Sequence, residues 1–228
     1  MNRKTKRALS VICTVLFVAV FVHCDRGRSS AAGGSELQIN RTVVMSRLSD
    51  PWDLAFTPDG AMLFTEKCRG LSVRTSDGTV RHLFGTAGAA LEADDFFCQG
   101  QSGMLGVALD PEFAENRYAY VYMASNTGKA KTNCVVRLTV DKTYTGVADR
   151  KNIVTDIPFK QSLNRWGGAG AHSGGRIRFS PFDGYLYVTT GDNHNGPLPQ
   201  DVSRLGGKIL RIDRDGKVAN GNNTPSGG

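Results

Sequence analysis

A chain of 228 residues is long enough to bury a real core, and its composition, 40% hydrophobic and 21% charged with 27 glycines, excludes a disordered or low-complexity protein. The formal charge of +7 would point to nucleic acid if it were spread over the fold. Residues 1–35, however, hold six Lys/Arg against one Asp, so +5 belongs to this leader and only +2 to the remainder, and a nucleic-acid partner is excluded.

The leader reads Met1-Asn2-Arg3-Lys4-Thr5-Lys6-Arg7, then an apolar run from Ala8 to Val22. Charge followed by an apolar run is the order of a secretory signal. The run falls short of the roughly 20 residues that a membrane-spanning helix needs, so export to a periplasmic or extracellular space is expected rather than a permanent span. Ser30, Ala31 and Ala32 offer a cleavage site. Cys24 is an alternative lipid-attachment site, although Phe21-Val22-His23 before it lacks small residues; any membrane contact is expected only through this leader or that anchor. Ser29 to Ser35 is a flexible linker. The chain therefore divides into signal peptide and linker over 1–35 and a folded part over 36–228.

Of the five cysteines, Cys13 and Cys24 belong with the leader. Cys68 follows a strand in a turn and Cys98 sits in a loop, which makes them the plausible pair in an oxidising compartment. Cys134 opens an apolar strand and reads as buried. No two cysteines have metal-ligand spacing, and no metal ligand is assigned.

From Thr42 the chain is a succession of short β-type runs: Thr42 to Leu48, Trp52 to Phe56, Ala61 to Glu66, Leu71 to Arg74 and Val80 to Phe84. Asp50-Pro51, Pro58-Asp59-Gly60 and Asp77-Gly78 separate them as turns, which predicts an antiparallel meander. Gly85 to Gly103 is too long for a hairpin and is a candidate functional loop. Strands resume at Gly106 to Leu109, Tyr118 to Met123 and Val135 to Val140, and no long amphipathic helix is present.

An internal repeat gives these runs an architecture. Leu54 to Glu66 aligns with Ile177 to Thr190, allowing one inserted residue, and both read as strand, Pro-Asp-Gly-type turn, strand. Leu105 to Pro111, resuming at Tyr118, is a degenerate third copy. Repeats of short antiparallel strands that cannot bury their faces alone predict an all-β fold, a β-propeller with about three blades in this chain. A closed propeller has roughly 4 to 8 blades, and the chain stops in loop-like Asn222 to Gly228, so it is expected to be a fragment of a longer protein.

Two loops of this repeat carry candidate chemistry. Gly170-Ala171-His172-Ser173-Gly174-Gly175-Arg176-Ile177 sets a histidine among glycines, whose freedom to adopt unusual dihedrals lets a flat ligand approach. Thr190-Gly191-Asp192 follows after one strand. The ordered set Pro51-Trp52-Asp53-Leu54-Ala55-Phe56, Gly100-Gln101-Ser102-Gly103-Met104-Leu105-Gly106, His172-Ser173-Gly174-Gly175-Arg176-Ile177, Thr190-Gly191-Asp192, Gln200-Asp201 and Gly207-Lys208-Ile209-Leu210-Arg211-Ile212 resembles the soluble pyrroloquinoline quinone (PQQ) dependent glucose and aldose sugar dehydrogenases, the glucose/sorbosone dehydrogenase family, over about residues 42–216.

The resemblance implies a six-bladed propeller with PQQ at one end of its channel and an aldose oxidised to its lactone, the electrons passing on to an external acceptor. By motif position His172 is the general base, Asp192 the aspartate that holds it, and Gln101, with His172, a contact of the cofactor and sugar pocket. These residue types suit the work. Imidazole takes a proton near neutral pH, a carboxylate partner stabilises the resulting cation, and an amide both donates and accepts hydrogen bonds. The resemblance also implies calcium, with its ligands and most cofactor-neutralising cations beyond residue 228. PQQ carboxylates without cationic partners are costly to bury, so residues 1–228 alone are expected to bind PQQ poorly and to turn over no aldose.

One departure bears on specificity: an aspartate that helps bind sugar precedes the histidine in the best-known sugar oxidisers, whereas Ala171 stands here. Arg176 and Lys208 read as solvated charges at strand edges, and His82 and His194 as surface residues. Two other functions fit a propeller: a non-catalytic extracellular binding protein, favoured by Ala171, and a calcium-dependent lactonase-type hydrolase using Asp192, Asn193 and Asn195, which leaves the His-Ser-Gly-Gly-Arg motif unexplained.

Overall fold

Short apolar runs bounded by turn residues fold as twelve strands in three sheets in the computed structural model, which describes residues 38–128, 130–161 and 167–222. The expected signal peptide with Cys24, the linker and the tail 223–228 lie outside the described residues. All the strands belong to the unit Val44–Gly228.

The first sheet is a meander of β1 (Pro51–Phe56), β2 (Met62–Glu66), β3 (Gly70–Arg74) and β4 (Val80–Gly85), extended by the two-residue β5 (Leu91–Glu92) parallel to β4. The second runs β6 (Met104–Leu109), β7 (Tyr118–Ser125), β8 (Thr132–Val140) and β9 (Val147–Pro158), with the single-turn helix α1 (Phe113–Asn116) between β6 and β7. The third holds β10 (Gly174–Phe179), β11 (Leu186–Thr190) and β12 (Ile209–Ile212). The leading strands β1, β6 and β10 are neighbours, so three antiparallel meanders fan out from adjacent inner edges as propeller blades do.

The internal repeat corresponds to the opening hairpin of each blade. Phe56 pairs with Met62 across the first turn and Phe179 with Leu186 across the last, while Leu109 pairs with Ala119 around α1, which accounts for the longer spacing of the degenerate copy. In the first turn Gly60 takes φ 84°, a left-handed conformation that glycine adopts without a Cβ penalty, and the Thr57 and Asp59 side chains hydrogen-bond to each other.

Burial patterns show which faces are covered. Leu63, Leu71 and Val73 of the first blade pack with Val107, Val121, Met123, Val136 and Leu138 of the second. The other face of the second blade, with Leu105, Tyr120, Tyr122, Val135 and Ile157, packs on Ile177, Leu186, Val188 and Ile212 of the third. Covered on both sides, β7 is buried from Ala119 to Ser125. Strand β10, covered on one side, alternates between buried Gly175 and Ile177 and exposed Arg176 and Arg178, the period-two signature of a half-covered strand.

Two sequence expectations are corrected. Thr42 to Leu48 forms no strand: Val43 and Val44 are exposed and the segment pairs with nothing in a sheet. Strand β9, the longest in the fold at 12 residues, was not anticipated, because its sequence Val-Ala-Asp-Arg-Lys-Asn-Ile-Val-Thr-Asp-Ile-Pro is polar; it is an outer strand whose ladder to β8 is broken by bulges.

Candidate active site

Two loops meet at one end of the second and third blades. The first, residues 98–103, leads into β6. Cys98 is disulfide-bonded to Cys68 beyond the end of β2, with Cα atoms 5.0 Å apart, as the cysteine pattern suggested, and Cys134 is free and buried. Gln99 and Ser102 exchange backbone hydrogen bonds of 2.9 and 3.0 Å, and the buried Ser102 hydroxyl donates to Asn133 Oδ1 at 2.7 Å. The second loop, residues 167–173, leads into β10. Gly100 lies against the Ala169 carbonyl and Gly170 against that of Gln99, so the loops press together where any side chain would collide with main chain.

The contact presents three predicted residues together. Gln101 Oε1 accepts the backbone N–H of His172 at 2.8 Å, and His172 Nδ1 lies 2.8 Å from Asp192 Oδ1. His172 is held in the left-handed region at φ 51°, as are Asn193 and His194 at φ 54° each. Non-glycine residues persist there only when their surroundings hold them. From the second blade the fully buried Tyr122 donates its hydroxyl to the Ser173 carbonyl at 2.8 Å, and burial pushes its phenol well above the ordinary range, keeping it a neutral donor. The Ser173 hydroxyl donates to the Gly170 carbonyl at 2.9 Å. On the opposite strand end Gly191 packs directly on the His172 carbonyl, and its own carbonyl accepts the N–H of Gly207 at 2.8 Å.

The electrostatics fix the histidine's chemistry. Asp192 is held below the ordinary carboxylate range, mainly by the hydrogen bond from His172, against a smaller opposing effect of burial. An ionised carboxylate can only accept, so Nδ1 of His172 is the donor in this pair. No described residue hydrogen-bonds to Nε2, and the His172 side chain is 45% exposed. The result is an imidazole anchored at Nδ1, with no partner at Nε2 among the described residues.

Sequence reasoning missed two further members. His194, read as a surface residue, stacks its ring on that of His172 with centroids 3.5 Å apart and planes inclined by 26°. Its backbone N–H also donates to Asp192 Oδ1 at 3.0 Å. Nothing in residue type alone announces this, although Asn193 and His194 are both types enriched in the left-handed region. Tyr122 was likewise hidden within an apolar strand. Ala171 is buried at 4% exposure, so position 171 offers no polar group to a ligand.

The other charges singled out in the sequence are partnered within the fold. Arg176, expected to be solvated, pairs with Asp53 at 2.6 Å and lies over the Trp52 ring. Arg178 joins the same carboxylate through two hydrogen bonds of 2.8 and 2.7 Å, and the Val107 N–H adds a third donor at 3.1 Å. Burial pushes the Asp53 carboxyl up, but these donors outweigh it and leave it below its ordinary value. Lys208, also expected to be solvated, donates to the carbonyls of Leu198 and Gly206 at 3.0 and 2.8 Å. His82 is half-buried against the Arg69 carbonyl, with burial lowering its proton affinity.

With this geometry in hand, similarity to known proteins decides the family: the Glucose / Sorbosone dehydrogenase family model matches residues 48–227. The chain belongs to the glucose/sorbosone dehydrogenase family. Aldose sugar dehydrogenase YliI of Escherichia coli is 30% identical over 201 residues, covering 85% of this chain and 49% of that protein. The PQQ-bound aldose sugar dehydrogenase of Streptomyces coelicolor superimposes with a TM-score of 0.68 at 30% identity, over 82% of this chain and 51% of that one. The apo-form of the soluble E. coli aldose sugar dehydrogenase gives a TM-score of 0.65 at 26% identity, over 79% of this chain and 49% of that one. The three sheets are thus blades of a propeller of the quinoprotein glucose dehydrogenase type, and the chain spans about half the length of the relatives it matches.

The residue types at the site are chemically compatible with PQQ. An open imidazole nitrogen and the exposed Gln101 amide form a hydrogen-bonding edge beside glycines, suited to a flat ligand rimmed with oxygens. Among the described residues no group of three or more His, Cys, Asp or Glu could hold a metal ion.

Proposed function

We propose that this chain carries the proton-accepting half of a PQQ-dependent aldose dehydrogenase site, and that the intact protein oxidises an aldose to its lactone. The observation that supports it most is the His172–Asp192 pair, 2.8 Å apart with Nε2 open, on a wall contributed by Gln101. PQQ, when bound, supplies the two-electron acceptor that no amino-acid side chain provides.

The chain's own residues do the rest. His172 Nε2 takes the proton of the sugar's anomeric hydroxyl as the carbon is oxidised. Asp192 stabilises the imidazolium that forms and keeps the ring in the Nδ1–H tautomer beforehand. Gln101 has its oxygen committed to the His172 backbone, so its amide N–H groups are what it can offer to a quinone or sugar oxygen. Export belongs to the same reading, since the Cys68–Cys98 disulfide requires an oxidising compartment, and an external acceptor there would reoxidise the cofactor.

The test is dye-coupled turnover of a panel of aldoses by the intact protein supplied with PQQ. Turnover is expected in the wild type and absent in His172→Ala. Retention of wild-type turnover in His172→Ala would refute the assignment.

A further inference from the structure

The Asp192 hydrogen bond anchors the edge of the His172 ring at Nδ1 and touches neither of its faces. Gly170 and Gly174, both at φ 75°, flank the histidine, and residues 167–171 of the loop are glycine and alanine only. One face is taken by His194. Its ring covers one face of His172 at 3.5 Å between centroids, and its main-chain N–H holds the same carboxylate oxygen that His172 uses. Ring and carboxylate thus both contact this one residue, and a Cβ at Gly167 would press on the His194 ring.

We propose that His194 is a positioning residue: its imidazole is the stacking platform that, with Asp192, holds the His172 ring so that only its Nε2 edge and one face meet substrate. This rests on the reading of His172 as the base. The charges around His194 agree with a neutral platform. Burial lowers its proton affinity most, the neighbouring His172 and Lys160 lower it further, and Asp192 opposes them. An uncharged ring stacks on His172 without competing for the Asp192 carboxylate.

Histidine-selective 15N labelling of the intact protein tests the platform without cofactor, because ring nitrogen shifts report the tautomer of His172. In the wild type they are expected to show a single Nδ1–H form. In His194→Ala they should move toward the tautomer average, while His194→Phe, which keeps a flat ring, should preserve them. In PQQ-supplied turnover His194→Ala should lower kcat about tenfold with KM changed less than about twofold, and His194→Phe should restore it. Unchanged His172 shifts in His194→Ala, or an equal disturbance in His194→Phe, would overturn the proposal; if the alanine variant does not fold, His194→Leu, which fills the space without a flat ring, takes its place in the comparison. Turnover surviving in His172→Ala would instead overturn the function while leaving the nitrogen shifts to judge the stack.

Discussion

Asp192 Oδ1 receives two donors, the His172 ring and the His194 amide, and the consequences of removing its charge can be worked out at this one atom. Asp192→Asn keeps an oxygen near Nδ1 but no longer stabilises the imidazolium, so kcat/KM in dye-coupled turnover should fall by about two to four orders of magnitude. The pH dependence has a definite sign. Folding lowers the Asp192 value below its ordinary 3.8, so its stabilising contribution is present above that pH and drains away as the pH falls through the lowered folded-state value. The gap in denaturation midpoint between wild type and Asp192→Asn should therefore close under strongly acidic conditions; a gap that persists there contradicts the pairing. His172 and Asp192 were legible in the sequence because glycines and motif order mark them. His194 was not, because its role comes from two successive left-handed residues, and residue type does not declare backbone conformation.

Loops and hairpins were legible to different degrees for physical reasons. The opening hairpin of each blade is marked by alternating apolar residues and turn chemistry, so the repeat placed β1, β2, β10 and β11 closely. Outer strands bury less and are written in polar residues, which hid β9, while Val43 and Val44 mimic a strand without a partner. At the site, Gly191 is needed for space: a Cβ there would collide with the His172 carbonyl. Gly191→Ala should accordingly cost about tenfold or more in turnover by displacing His172, with far-UV circular dichroism unchanged. Tyr122→Phe removes one of two donors to the Ser173 carbonyl, which keeps the Gly191 N–H at 3.1 Å, and should cost about 0.5–1.5 kcal/mol in urea denaturation. Neither residue carries an obvious functional signal in sequence, since one reads as turn glycine and the other as core aromatic.

At the scale of the whole molecule the disulfide and the shared inner edge matter most. Cys68 and Cys98 close a loop with a sequence separation of 30, and loop-closure entropy of that length stabilises the fold by about 3–4 kcal/mol. Reduction should lower the denaturation midpoint accordingly and loosen the loop that carries Gln101. Asp53→Ala is expected to be costly too, toward the lower end of the roughly 3–5 kcal/mol for breaking a buried pair, since its arginine partners are about half exposed. The Asp53 carboxylate has a consequence beyond its energy. It sits on the first blade, accepts a main-chain donor of the second and is gripped by two arginines of the third. Repeats joined only by nearest-neighbour packing can open one at a time, each with its own free energy. A knot common to all three ties their opening into one cooperative event, so that amides of β10 exchange with solvent only when those of β1 do, and the footing of the His172 loop is set by a residue more than a hundred positions earlier in the chain.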